Sequence, residues 1–67
     1  MELVRAEQDK AIMGVSMEEL LIINNALNEV CHGIDIPEFE TRMGASLHEV
    51  KLVLAGLRLI IEELEQT

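Results

Sequence analysis

Cys31 and His32 are neighbours in the chain, and a thiol beside an imidazole is the pairing that nucleophilic cysteine chemistry uses. On a helix, however, consecutive side chains project about 100° apart. Cys31 falls with Leu20, Ile23, Leu27 and Val30 on an apolar face, and His32 with Glu18, Asn25 and Glu29 on the opposite one. The thiol and the imidazole therefore point apart, and Cys31 reads as a buried structural thiol. Zinc chemistry fails on number, because Cys31, His32 and His48 are too few for a closed four-ligand site. No glycine-rich phosphate loop and no Ser/His/Asp set is present. Phe39 is the only aromatic residue, which leaves no platform for stacking bases. The residues thus predict no catalytic, cofactor-binding or metal-binding group, and the chain is expected not to be an enzyme.

The elements that would position any site are punctuated by three possible capping boxes: Ser16-x-x-Glu19, Asp35-x-x-Glu38 and Ser46-x-x-Glu49. In each, a short oxygen acceptor can bond the N3 amide while the carboxylate reaches back to the N-cap amide. The first box predicts a helix over 17–32, closed by Gly33 in a left-handed turn. The second predicts a short helix over 36–43, with Pro37 in its first turn, Glu38 and Arg42 in favourable i,i+4 order and Gly44 as its stop. The third predicts the longest helix, over 47–65. Its core face is Val50, Val53, Leu57, Ile60 and Leu64 at 3-4-3-4 spacing, widened by Leu54 and Ile61.

Residues 1–15 admit two readings. Glu2–Ala6 and Ala11–Val15 can form strands around a polar turn at Glu7–Lys10. The same segment, rich in Ala, Glu, Gln and Lys, can also form a helix ending at Gly14. The expectation is an α+β domain with an N-terminal hairpin or extended segment and then three helices, two of them long and antiparallel. The alternative is an all-α bundle.

Four features of this framework could carry function. Leu52 and Leu59 lie about 180° from the centre of the long helix's core face, with Gly56 on nearly the same line. Glycine inside a helix costs about 1 kcal/mol relative to alanine, so its presence suggests close approach of another backbone. That stripe reads either as an interface or as a surface covered by the N-terminal segment. Asn24 sits at the margin of the first helix's apolar face with Asn28 one turn on. The two are expected to bond the Gly33–Pro37 connection, or else to present amides to a ligand or a second subunit. Glu62, Glu63 and Glu65 crowd the end of the last helix, either as a solvated terminus or as an acidic patch for a basic partner. Residues 39–51 have the outline of a helix-turn-helix, but a DNA-reading helix needs basic side chains near its start, and here His48 and Lys51 are offset by Glu49.

Composition narrows the classes further. Sixty-seven residues make one domain of marginal stability, with a single cysteine and no metal set to reinforce it, so helix packing or oligomerisation must compensate. The net charge of −8 disfavours nucleic acid and anionic membranes and favours basic partners. No transmembrane run and no signal peptide is apparent, which predicts a reduced, cytoplasmic setting.

The run Leu27-Asn28-Glu29-Val30, with Asn25-Ala26, Gly33 and the stretch Glu38-Phe39-Glu40-Thr41-Arg42-Met43-Gly44-Ala45-Ser46, resembles a group of small, uncharacterised bacterial proteins. The resemblance spans residues 16–55 and carries no assigned activity. It implies a bacterial, compact, stand-alone domain without a site, in which the Phe39–Gly44 corner is a structural keystone: Phe39 in the core, Arg42 paired to Glu38 or to a carbonyl. Taken together, these readings predict a small interaction module that forms a homodimer through the last helix, the N-terminal strands or both. The other expectations are an acidic neutraliser of the immunity-protein or antitoxin kind, and a helix-turn-helix regulator.

Overall fold

Residues 2–14 form an antiparallel hairpin, β1 (Glu2–Glu7) and β2 (Lys10–Gly14), in a computed structural model that describes residues 1–67. The strands run one residue further into the turn than expected, leaving only Gln8 and Asp9 to connect them. Neither turn residue has a positive φ, so the connection is not one of the primed turns that Asn-Gly pairs make. Leu3 faces Met13, Arg5 faces Ile12, Ala6 faces Ala11 and Glu7 faces Lys10, with an irregularity between Leu3 and Arg5. The extra residue, Val4, resets the phase of β1, so that Leu3 and Ala6 share a face with Ala11 and Met13. The other face carries Arg5, Glu7 and Lys10 together with Ile12, and there the Glu7 carboxylate lies 2.7 Å from Arg5 Nη2 and 3.7 Å from Lys10 Nζ. The hairpin thus has one apolar face and one mainly charged face, and both strands remain largely exposed.

Helix α1 (Met17–Asn28) and helix α3 (Leu47–Glu65) start at the expected boxes. The Glu19 N–H donates to Ser16 Oγ at 3.1 Å and the Ser16 N–H donates to Glu19 Oε1 at 3.0 Å. Glu49 and Ser46 repeat both bonds at 3.1 and 3.0 Å. The amino group of Met1, 2.7 Å from Glu19, and the Ser16 amide hold the Glu19 carboxyl below its ordinary range. The Ser46 amide and hydroxyl do the same for Glu49. A depressed carboxylate pKa stabilises the fold above its unfolded value, and that contribution disappears as the pH falls through the folded value. Urea midpoints should therefore lose their cap contribution only below the ordinary carboxylate pKa near 4.5. At neutral pH, Ser46→Ala should lower stability by about 1 kcal/mol.

Two expected boundaries are corrected. Gly33 does not adopt a left-handed turn. Instead α1 widens into a π turn over Glu29–Gly33, in which the Ile34 N–H donates to the Glu29 carbonyl at 3.1 Å. The Glu29 carboxylate fills the space that a side chain on Gly33 would need, and glycine serves there as a gap. The Asp35 box does not form, and helix α2 spans only Phe39–Met43. Glu38 takes the left-handed conformation (φ 55°) and makes no side-chain cap bond, while its carbonyl accepts from the Arg42 N–H at 3.1 Å. Pro37 accordingly lies in the turn before the helix. Gly44, at φ 73°, ends α2 as expected, and its N–H donates to the Glu40 carbonyl at 2.8 Å.

The α+β class is the one expected, with α1 and α3 packed side by side. Only Leu20, Val50, Leu54 and Ile61 are buried. The molecule is a slab of 37 × 30 × 16 Å, little more than one helix thick. Its radius of gyration is 13.4 Å, where a compact chain of this length would reach about 11 Å. The compactness implied by the resemblance is therefore absent.

Candidate functional site

The buried line along α3 is Val50, Leu54 and Ile61, with Leu57 half-buried. This is already a complete helical stripe, so the other apolar residues of α3 are surplus to it. Val53 and Ile60, expected in the core, are 62 % and 56 % exposed. Leu52 and Leu59 are 60 % and 64 % exposed. Gly56 lies between these pairs, and a side-chain carbon added to it would meet no atom within 4 Å. The N-terminal segment therefore does not cover the Leu52–Gly56–Leu59 stripe. The expected narrow stripe is instead a broad outer face, joined by Val53 and Ile60 to an apolar groove.

That groove is lined by Ala11 and Met13 of β2, Val15, and residues of both long helices, including Ile23, Leu27, Val53 and Ile60, around a volume of about 370 Å³. It contains no polar side chain. The apolar face of the hairpin opens onto it through Ala11 and Met13, yet Met13 and Leu3 stay more than half exposed. An isolated hairpin is marginal in water, so this one lacks the cover that would hold it. The folded chain exposes 5343 Å². A compact monomer of 7.5 kDa would expose about 4,200 Å², so roughly 1,100 Å² is in excess.

The polar candidates are distributed differently from the sequence expectation. Asn28 does not bond the Gly33–Pro37 connection; its Oδ1 accepts from Arg58 Nη2 at 2.9 Å and links α1 to α3. Asn24 does not bond it either, and its buried Oδ1 has no hydrogen-bond partner. Asn24→Leu removes an unsatisfied acceptor, and we expect it to leave stability unchanged or to raise it by about 1 kcal/mol in urea titration. Arg42 pairs with neither the Glu38 side chain nor a carbonyl, and Phe39 is only half-buried. The keystone role implied by the resemblance is therefore not seen in these contacts. The end of α2 is held by Gly44 instead.

Cys31 is half-buried and His32 exposed. Both border a second open depression of about 470 Å³, whose apolar wall includes Ile34, Ile36, Phe39 and Leu47. No three His, Cys, Asp or Glu side chains converge on a point where a metal ion could sit. Glu62, Glu63 and Glu65 are all exposed and make no ion pair. No helix is long and apolar enough to cross a membrane.

The signal for the outer face was present in the sequence as an excess. The residues that α3 needs to pack on α1 occupy one stripe, and Leu52, Val53, Leu59 and Ile60 exceed it. Comparison with protein-family models, curated proteins and solved structures finds no match.

Proposed function

We propose that this chain is a non-enzymatic protein-interaction module that works as a homodimer, joined through the outer face of α3 with the N-terminal hairpin contributing. The observation that supports this reading most is the exposed apolar area. Standard interfaces bury about 800 Å² on each partner, and the excess exposure of this chain is of that size. The slab shape points the same way, since a stable domain packs at least two layers around its core and this chain supplies little more than one. The second layer is then the other subunit. A dimer whose fold depends on association has a thermal midpoint that rises with protein concentration. A midpoint independent of concentration would count against the proposal.

The unpaired Glu62, Glu63 and Glu65 favour a second reading, in which the dimer offers an acidic surface to a basic protein. Such binding would weaken with added salt and with Glu→Gln changes at these three positions. A partner bound equally well at low and high salt would argue against it.

A further inference from the structure

The outer face of α3 reads the same in both directions from Gly56. Three residues away on either side stand Val53 and Leu59, four away Leu52 and Ile60, and seven away Glu49 and Glu63. All seven positions are exposed. We infer that two copies of the chain meet with their α3 helices crossing at Gly56 about a two-fold axis. This rests on the self-association proposed above and assigns its geometry.

A two-fold contact must be self-complementary, because the same patch serves both subunits. A palindromic patch meets that condition whichever way the second helix runs: each apolar pair on one side of Gly56 finds an apolar pair opposite. A partner of different sequence would need no such symmetry. Leu52, Gly56 and Ile60 form an i±4 ridge with a notch at its centre, and ridges of this kind interdigitate at a crossing of about 50°. The notch is open, with nothing of the same chain within 4 Å of a side chain placed there. Helices that pack with axes about 8–10 Å apart, on Cα radii of about 2.3 Å, would bring the two Gly56 Cα atoms within disulfide range at the crossing.

The acids disfavour a side-by-side alignment. In a parallel pair Glu49 would meet Glu49 and Glu63 would meet Glu63; in an antiparallel pair Glu49 would meet Glu63. Every alignment therefore sets like charges opposite each other. Seven residues from the crossing is about 10 Å along the helix, where a 50° crossing has carried the two axes roughly 9 Å apart sideways, about 13 Å in all, and leaves the carboxylates in water. The contact is a short cross rather than a coiled coil, and Val53 and Ile60 carry it into the groove beside β2.

The test is cross-linking in a Cys31→Ala background. Gly56→Cys should oxidise rapidly to a covalent dimer, whereas Lys51→Cys, about 140° around the helix, should not. Gly56→Leu should weaken association at least tenfold, and Lys51→Leu should leave it unchanged. A light-scattering mass on the Cys31→Ala parent separates the two levels of the argument. A dimeric parent in which Gly56→Cys fails to cross-link, or Gly56→Leu associates normally, overturns the crossing and leaves self-association standing. A monomeric parent overturns both.

Discussion

Leu52→Glu combined with Leu59→Glu should yield a chain that is monomeric at every concentration. The expected effect is large because the two substitutions act on both subunits. Each leucine buried at an interface is worth about 1.5 kcal/mol or more, so four of them contribute roughly 6 kcal/mol, over four decades in Kd. The new carboxylates add to this, since each would be desolvated against an apolar surface. Neither leucine belongs to the core of its own subunit, as both are more than half exposed. The loss should therefore appear first in association. The variant should show a thermal midpoint that no longer depends on concentration and that lies below the wild-type midpoint, because four buried residues are a small core for 67. An unchanged dimer mass would remove this face from the interface.

Leu54→Ala should act in the opposite order. Leu54 is the most buried residue of the chain at 2 % exposure, on the line that joins α3 to α1. Truncating such a leucine costs about 2–5 kcal/mol through lost transfer energy and the cavity left behind. In a domain of this size that is comparable with the whole stability, so circular dichroism should show the helices lost near room temperature. Val53→Ala, one residue away, removes a side chain that is mostly in water within the subunit and should leave the helices intact while weakening association. The contrast between adjacent positions separates the inner stripe of α3 from its outer face. Equal loss of structure in both variants would mean that no such division exists.

The parts of the fold set by local chemistry were legible in the sequence. Ser16 and Ser46 mark the starts of α1 and α3 because their partners, Glu19 and Glu49, lie within reach of the same turn. Gly44 marks a stop because φ 73° is open to glycine. The Asp35 box misled because the same pattern was cancelled by one left-handed residue, Glu38, a conformation that a glutamate does not signal by its type. The π turn at Glu29–Gly33 left no mark beyond the glycine that accommodates it. The candidate site was half legible. Leu52, Gly56 and Leu59 stood out by their angle, whereas Val53 and Ile60 were absorbed into the core stripe. Periodicity alone cannot tell a residue that packs on α1 from one rotated a further 60–80° towards a second subunit.

The most direct test of self-association is the molar mass of the unmodified chain in solution, measured by light scattering across a dilution series. The account predicts twice the chain mass of 7.5 kDa, falling towards the single mass only at the lowest concentrations. A mass of one chain at every concentration, with the helices intact, would contradict it.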